Sequence, residues 1–524
     1  EYLSSLITLF HPMRKIAAYE SNEIFLESYE KKAYSIEVFR YVSLTHIVRM
    51  LQVRVSVLGG KNMLIAKKPA KQGLSIIIVG CGKVGLTLIE QLVKEGHDIT
   101  IIDQNAKKVQ EVANTYDVMG ITGNGASHRV QMDAGIASAN LLIAVTESDE
   151  LNLLCCTVAN QVANCSTIAR VRTPDYSGEA AYLRDKLGLA MIINPELEAA
   201  KEISRILYLP TALEVNSFAH GQAELIKIQI PENNILDGIS VSMLSKKINT
   251  SVLICGIERN SAMYIPSGDS LLLGGDKISF VAPKGHGRFF LEDIGIKTNQ
   301  VKSTMIIGGS KAAYYLAKQL LPMGVSVKIV EQDLKRCETL SELLPKATII
   351  NGDGTDEELL EEEGIDSIES FVPLTGIDEE NILLTLHAKQ ISNAKVITKI
   401  NRMNFKDVIS RLDLGSVVYP RYITSEAIVA YVRAKKDSMG SNIETLYHMF
   451  DSRAEAIEFR VNEPSAVTNI PLMDLSLKDN LLICFISRNG SILIPSGSDS
   501  IRVGDTVMVV TTHTGFNDLR DILK

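Results

Sequence analysis

Residues 74–105, with the sequence LSIIIVGCGKVGLTLIEQLVKEGHDITIIDQN, contain the signals that determine the fold. The β-branched apolar residues at 76–79 predict a buried parallel strand, which leads directly into the loop GCGKVG at 80–85. A helical pattern follows, and a second apolar run at 99–102 ends at Asp103. This order of strand, glycine-rich loop, helix, strand and acid predicts the first βαβ unit of a Rossmann-type, nucleotide-binding domain.

The loop residues have separate predicted tasks. Gly80 makes the tight turn, Gly82 lets the backbone approach a pyrophosphate, and Gly85 allows the helix to pack closely on the strand. Backbone N–H groups at the start of the helix would hold the phosphates. Asp103 would accept hydrogen bonds from both ribose hydroxyls, and it favours NAD over NADP because a carboxylate repels a 2′-phosphate. The alternative is a Rossmann-type domain that has lost its ligand.

Further candidate residues follow the later strands of the same sheet. Gly123 and Asn124 come after the third strand, Thr146 and Glu147 after the fourth, and Arg170 lies on the fifth. Because the carboxyl ends of parallel strands face one crevice, these residues are expected to converge there. The planar guanidinium of Arg170 suits a phosphate or a ribose; an exposed charge at a strand end is the alternative.

The chain then repeats the same landmarks in the same order, in residues about 74–285 and about 302–512. Each landmark returns 228 or 229 positions later: Gly80 and Gly308, Asp103 and Glu331, Gly125 and Gly354, Thr146 and Thr375, Asn152 and Asn381, Arg170 and Lys399, Pro266 and Pro495. So constant an offset indicates tandem duplication of a two-part unit.

The sequence therefore predicts an α/β fold with two tandem Rossmann-like domains, each followed by a small α+β domain. The predicted Rossmann-like domains are 74–210 and 302–440, and the small domains are 211–290 and 441–524. The small domains show short β runs separated by Gly, Pro, Asn and Asp, which indicate turns. Residues 1–73 are an extension and linker with 11 Lys and Arg against 6 Asp and Glu. This extension is either weakly ordered or a basic anchor for a partner or an anionic membrane surface.

Composition narrows the function classes. The 524-residue chain has a formal net charge of −8, which argues against a general nucleic-acid binder because phosphate neutralisation needs a basic excess. The sequence contains no uninterrupted run of about 18 apolar residues, so it predicts no membrane-spanning helix. The seven cysteines show no metal-ligand spacing, which favours a reducing, cytoplasmic compartment and predicts no metal site.

The second glycine-rich loop, in MIIGGSKAAYYLAKQL, departs from the first. Ser310 replaces the glycine that would let the backbone approach a pyrophosphate, although Glu331 keeps the acid and Lys399 keeps a positive charge. Nucleotide binding in this half stays open. Its candidate contacts are Gly308, Gly309, Ser310, Lys311, Ala312, Glu331, Thr375 and Lys399.

These features together resemble the RCK (KTN) family of regulators of potassium conductance. The resemblance covers roughly residues 74–520 and rests on the two glycine-rich units, the turn GDGT, the stretches AVTESDELNLL and ARVR, and the IPSG and GD sequences of the small domains. Two such units in one chain are similar to the peripheral subunits of Trk-type potassium uptake systems. In the first unit the resemblance implies nucleotide contacts at Gly80, Cys81, Gly82, Lys83, Val84, Asp103, Thr146, Glu147 and Arg170.

The resemblance also implies a function and a setting. The chain would bind NAD(H), with ATP or ADP as further candidates, and would not be an enzyme. Homo-oligomeric rings of such chains would sit on the cytoplasmic face of the cell membrane and gate a Trk-type potassium transporter. Contact with the membrane would be made only through that partner.

Two other functions compete with this interpretation. An NAD-dependent oxidoreductase would need a proton donor near the nicotinamide. His128 is the nearest candidate, while His220 and His286 are isolated in or beside the first small domain. A redox-sensing DNA-binding regulator would need a basic helix-turn-helix or winged segment, which only residues 1–73 could supply.

Overall fold

The computed structural model describes residues 73–163, 165–260, 262–296, 298–401, 406–409, 411–436, 441–450 and 453–524. The predicted extension therefore lies, except for Gly73, outside the described residues. Within the described residues, no helix has both the length and the apolar character needed to cross a membrane.

The first unit alternates strands and helices. Its strands are β1 (Ser75–Val79), β2 (Asp98–Asp103), β3 (Met119–Thr122), β4 (Leu141–Ala144), β5 (Ser166–Arg170) and β6 (Met191–Ile193). Its helices are α1 (Lys83–Lys94), α2 (Ala106–Tyr116), α3 (His128–Asp133), α4 (Asp149–Val162), α5 (Pro174–Ser177), α6 (Ala180–Leu187) and α7 (Pro195–Tyr208).

The six strands form a parallel sheet in the order β3-β2-β1-β4-β5-β6, which is the Rossmann order. Residues Ile76–Val79 of the central strand β1 are at most 2% exposed, because helices cover both faces of the sheet. This burial explains why the strand reads as a continuous apolar run. The predicted Rossmann-like fold is confirmed.

The first small domain is built from β7 (Glu214–Phe218), β8 (Ala223–Gln229), β9 (Ile239–Ser240), α8 (Val241–Lys247), β10 (Leu253–Arg259), β11 (Ala262–Tyr264), β12 (Leu271–Leu272), β13 (Lys277–Pro283) and α9 (His286–Asp293). Five of its strands form an antiparallel sheet in the order β11-β10-β13-β8-β7, and β9 pairs with β12. The Gly-Asp pair before β13 forms a turn and also anchors a neighbouring strand, since the buried Asp276 accepts two 2.7 Å hydrogen bonds from Arg259 of β10.

The second unit repeats the first. Its strands are β14 (Ser303–Ile307), β15 (Ser326–Glu331), β16 (Thr348–Asn351), β17 (Ser370–Pro373), β18 (Lys395–Lys399) and β19 (Ser416–Val418). Its helices are α10 (Lys311–Leu320), α11 (Leu334–Leu343), α12 (Glu357–Glu362), α13 (Asp378–Ile391), α14 (Lys406–Ile409) and α15 (Pro420–Lys436). The strand order, β16-β15-β14-β17-β18-β19, is the same as in the first sheet.

The second small domain contains β20 (Ser441–Met449), β21 (Ala454–Val461), β22 (Leu481–Arg488), β23 (Ser491–Leu493) and β24 (Thr506–Thr511). They form an antiparallel sheet in the order β20-β21-β24-β22-β23, which matches the first small domain strand for strand. Asp505 accepts a 2.8 Å hydrogen bond from Arg488, as Asp276 does from Arg259. Short 3₁₀ turns occur at Ile136–Ser138, Ala219–Gly221, Leu321–Met323, Leu472–Asp474 and Leu519–Ile522.

The two Rossmann units pack reciprocally within the chain. Helix α7 of the first unit packs on α10 of the second, and α1 of the first unit packs on α15 of the second. Ala199, Ile203, Ala313 and Leu316 belong to one shared apolar cluster at the first of these contacts. The apolar side of α7 therefore packs on the second unit of the same chain.

Candidate functional site

The first glycine-rich loop requires glycine for different reasons at different positions. Gly80 has φ +104°, and a Cβ there would lie 3.0 Å from the backbone nitrogen of Thr146. A Cβ on Gly85 would lie 2.0 Å from the carbonyl oxygen of Gly80, so α1 packs directly on the loop. Among the described atoms, none lies within 4 Å of a Cβ placed on Gly82. The first and third glycines therefore build the loop, and the second leaves open space for a ligand.

Asp103 holds the loop in place from the end of β2. Its Oδ2 accepts the backbone N–H of Cys81 at 2.7 Å, and its Oδ1 accepts that of Asn105 at 2.9 Å. A carboxylate has about four acceptor positions, so Asp103 keeps capacity for further hydrogen bonds. The acid that would bind a ribose thus also has a structural role.

The side chains of Cys81 and Val84 lie in the core, at 3% and 6% exposed. Only their backbone groups are available to a ligand. Burial, with a smaller contribution from Asp103, raises the pKa of the Cys81 thiol to about 12, so this thiol is protonated at neutral pH. Lys83, in contrast, is exposed at the first position of α1.

At the end of β3, Gly123 and Asn124 mainly shape a turn. The N–H of Gly123 donates to the carbonyl oxygen of Asp103 at 2.9 Å, and Oδ1 of Asn124 accepts the N–H of Ala126 at 3.0 Å. Asn124 and Glu147 are both exposed at this edge of the sheet. The structure therefore places Asn124 and Glu147 at the predicted rim, and it gives Gly123 and Asn124 hydrogen-bond partners within the protein.

A buried asparagine links the ends of β4 and β5. Oδ1 of Asn152 accepts hydrogen bonds from the backbone and the hydroxyl of Thr146, at 2.8 and 2.7 Å. Its Nδ2 donates to the carbonyl oxygen of Arg170 at 2.9 Å. Asn152 thereby fixes the position of both predicted contact residues.

Arg170 is a buried cation with an incompletely used guanidinium. The residue is only 9% exposed, and its Nη2 donates to the carbonyl oxygen of Thr146 at 2.6 Å. Its buried Nε has no hydrogen-bond partner in the part of the chain that the structure describes. Burial and the neighbouring Arg172 lower the pKa of this guanidinium. The alternative of an exposed strand-end charge is wrong, and a buried, partly unpaired cation at the site suits an anionic ligand.

The rim of the first unit also contacts the loop of the second. Nζ of Lys311 lies 3.1 Å from Oγ1 of Thr173, and the hydroxyl of Tyr315 donates to the carbonyl oxygen of Arg172 at 2.8 Å. Arg172 forms an ion pair with Glu196 at 3.7 Å. The candidate sites of the two units are therefore joined by direct contacts.

The second loop keeps the backbone shape but uses its groups internally. Gly308 has φ +92°, and the N–H of Gly309 donates to Oε2 of Glu331 at 2.5 Å. Oγ of Ser310 accepts the N–H of Ala313 at 3.4 Å and so caps α10. Nε of Arg336 donates to the carbonyl oxygen of Gly309 at 2.5 Å. The N–H of Ala313, at the helix start where a phosphate would bind, therefore has a protein partner here, whereas the first helix has no side-chain cap within the described residues.

A buried asparagine links the strand ends of the second unit as Asn152 does in the first. Oδ1 of Asn381 accepts from the backbone and the hydroxyl of Thr375, at 3.0 and 2.9 Å. Nζ of Lys399 donates to the carbonyl oxygen of Leu374 at 2.9 Å. Burial lowers the pKa of Lys399 to about 8. Ala312 is 3% exposed, so its side chain belongs to the core.

Comparison with known families decides the assignment of the chain. The TrkA-N domain matches residues 76–195 and again 304–420, and the TrkA-C domain matches residues 456–524. The chain belongs to the TrkA family. The predicted resemblance to tandem RCK proteins is confirmed.

Members of the TrkA family match along most of the chain. The Trk system potassium uptake protein TrkA of Haemophilus influenzae is 32% identical over 443 residues, which cover 83% of this chain and 95% of that protein. A TrkA homolog of Methanosarcina mazei is 30% identical over 461 residues and is covered completely. Among solved structures, the GsuK RCK domain has a TM-score of 0.57 at 16% identity, covering 84% of this chain and 93% of that one. The GsuK channel bound to NAD has a TM-score of 0.56 at 16% identity, covering 95% and 88%.

Sequence reasoning missed several residues at the candidate site. Lys311 and Tyr315 connect the two units, and Glu196 forms an ion pair with Arg172 within the first unit, but of these three only Lys311 was a candidate, and as a nucleotide contact. The acid in the first turn of the helix after Pro195 was visible in the sequence. Its location between Arg172 and the second unit depends on the packing of the two copies.

Proposed function

We propose that this chain is a nucleotide-sensing regulator that binds NAD(H) and controls potassium uptake through a Trk-type membrane transporter. The buried Arg170 carries the proposal, because its unpartnered Nε lies at the carboxyl edge of a sheet that also presents the loop of Gly80, Gly82 and Gly85. The family membership and the names of the relatives supply the transport role.

In the first unit, the N-terminus of α1 would hold the pyrophosphate, Asp103 the adenosine ribose, and Arg170 a phosphate or ribose oxygen. Gly82 immediately precedes α1, and this helix N-terminus has no side-chain cap among the described residues, so its backbone N–H donors suit an anion. Bound NAD(H) would serve as a signal through its redox state. ATP and ADP share the adenosine and phosphate groups and are tested beside it.

The geometry favours regulation over hydride transfer. His128 is exposed at the start of α3, and the corresponding position of the second unit is Glu357 at the start of α12. The side chain of His220 is 84% exposed, and His286 begins α9 of the small domain. A ligand that binds two conformations with different affinities shifts their equilibrium, and about 1–3 kcal/mol of coupling per site is typical.

Regulation of a transporter would require assembly at the membrane. We propose homo-oligomeric rings on the cytoplasmic face, attached through the transporter, since reciprocal packing already pairs two units within each chain.

Calorimetric titration of the full chain with NAD, NADH, ATP and ADP tests the nucleotide proposal. We expect saturable binding without turnover, and potassium flux through a co-reconstituted Trk-type transporter that depends on the nucleotide. Absence of nucleotide binding, or consumption of NADH with a substrate, would contradict the proposal.

A further inference from the structure

A cavity lies away from the glycine-rich loops. Its volume is about 720 Å³, within the range of about 300–1,000 Å³ that is usual for small-molecule sites. Its wall includes α1 and α7 of the first unit, α15 of the second, and the strands β7, β20 and β21. The basic side chains in its wall are Lys94, Arg433 and His448. The acidic side chains are six glutamates: Glu90, Glu95, Glu202, Glu214, Glu426 and Glu455.

Five of these glutamates already have partners in the protein. Glu90 pairs with Lys94 at 2.8 Å, Glu95 and Glu455 with Arg433 at 2.5 and 3.0 Å, Glu426 with His448 at 3.2 Å, and Glu214 accepts from the hydroxyl of Tyr447 at 2.6 Å. The protein has thus matched these charges internally.

Glu202 differs from the others. It is 8% exposed, lines the cavity, and has no hydrogen-bond or ion-pair partner among the residues that the structure describes. A buried carboxyl without a partner loses its hydration without compensation, so it either keeps its proton or pairs with a group of opposite charge that enters the cavity. Burial, and then repulsion by Glu214 and Glu426, raise the pKa of Glu202 to about 8, while Arg205 opposes this rise.

The wall suits an organic cation better than a metal ion. Within the described residues, no three His, Cys, Asp or Glu side chains are placed to hold a metal. Tyr419 and Tyr422 line the same cavity with ring centroids 6.1 Å apart, and aromatic rings attract ammonium groups. Spaced carboxylates and tyrosines match a flexible molecule that carries several ammonium groups.

We propose that this cavity binds a small polyamine of the spermidine class, with one ammonium group paired with the Glu202 carboxylate. The occupant would contact helices of both Rossmann units and the second small domain at once. It would therefore report on a second signal, independently of nucleotide binding. Because pairing needs the carboxylate, binding releases the proton that Glu202 holds in the empty cavity, and Glu214, Glu426 and Arg205 set how much is released.

Titration calorimetry of the full chain with spermidine at pH 7, in two buffers of different ionisation enthalpy, tests the proposal. We expect one saturable site per chain, with release of up to about one proton. Glu202→Gln should weaken binding at least about tenfold and remove the proton release, since the amide neither carries charge nor titrates. Glu198→Gln is the matched control, because Glu198 lies on the same helix but its side chain is 43% exposed and paired with Lys201.

Glu202→Asp serves as a second variant in case the amide disturbs folding, which circular dichroism would detect. It retracts the carboxylate by one methylene and should weaken binding while keeping the proton release. The proposal is overturned if spermidine shows no saturable binding, or if the folded Glu202→Gln variant binds it as tightly as the wild type. Displacement of spermidine by equimolar Mg²⁺ would likewise overturn it in favour of nonspecific counter-ion binding.

Discussion

The two glycine-rich loops have the same backbone shape but a different relation to a ligand. In both, the acid at the end of the second strand accepts a loop N–H, from Cys81 at 2.7 Å and from Gly309 at 2.5 Å. Gly82 precedes the first helix and provides no side-chain cap, and none is present within the described residues, while Ser310 caps the second helix with its own hydroxyl. The acid is therefore a feature of the fold in both units, and the uncapped helix N-terminus distinguishes the proposed ligand site of the first unit.

The largest difference between the two units is expected when the acid at the end of the second strand is replaced. Asp103→Arg should weaken NAD binding about 100-fold, or about 2.8 kcal/mol, because it replaces the ribose acceptor with a larger cation. Calorimetry measures the affinity. The matched variant Glu331→Arg loses the same kind of loop hydrogen bonds and should leave the affinity of the first site within about twofold. Equal losses in both variants would show that the acids act alike.

The last helices of the two units differ in the surroundings of a buried acid. Glu202 on α7 corresponds to Ala427 on α15 when Pro195 and Pro420 are aligned, and the buried acid of α15, Glu426, is paired with His448. The pKa of Glu202 rises from its usual 4.5 to about 8 on folding, so the unfolded chain is ionised between these values while the folded chain stays protonated. The free energy of unfolding should fall as pH rises through this window, and Glu202→Gln should remove that fall.

Relative to its effect at pH 5, Glu202→Gln should stabilise the protein by about 2–4 kcal/mol at pH 8. Urea unfolding at several pH values measures the difference. Glu198→Gln, at a half-buried position on the same helix, should keep the wild-type pH slope. Parallel pH profiles for the wild type and Glu202→Gln would contradict the buried, protonated carboxyl.

Strand β5 and strand β18 carry different cations at equivalent positions. Arg170→Lys should weaken NAD binding about tenfold, or about 1.4 kcal/mol, because a lysine lacks the planar donor fork. In the second unit, Nζ of Lys399 is already bonded to the carbonyl of Leu374. Lys399→Arg should therefore not change affinity at the first site. Unchanged NAD affinity in Arg170→Lys would remove Arg170 from the binding residues.

The smallest effect is expected at the helix cap. Ser310→Gly removes the hydrogen bond that Oγ accepts from Ala313 and should cost a few tenths of a kcal/mol, about the usual loss when glycine replaces a serine cap. It also opens the loop, so the nucleotide stoichiometry per chain should rise from one towards two. Thermal unfolding and calorimetry measure the two effects. A stoichiometry that stays at one would place the obstacle at Arg336 or Glu331.

The local pattern was sufficient to predict the sheets, the loops and the paired architecture. Strand, glycine and acid follow one another within 32 residues, 74–105, and local contacts dominate there. The contact between Lys311 and Thr173 could not be predicted, because an amphipathic helix specifies an apolar face but not its partner. The same holds for Glu202, which reads as an ordinary helical acid and becomes buried only where α7, α15 and the small domain meet.

The reciprocal packing of helices from the two units within one chain has an evolutionary consequence. In a dimer of identical subunits, every substitution occurs twice, so a loop cannot lose its ligand in one copy and keep it in the other. A covalent tether removes that constraint and also holds the copies at a fixed one-to-one ratio and a high effective concentration. Ser310 and Lys399, which stand where the first unit has Gly82 and Arg170, are therefore differences that a fused gene can carry in one half alone.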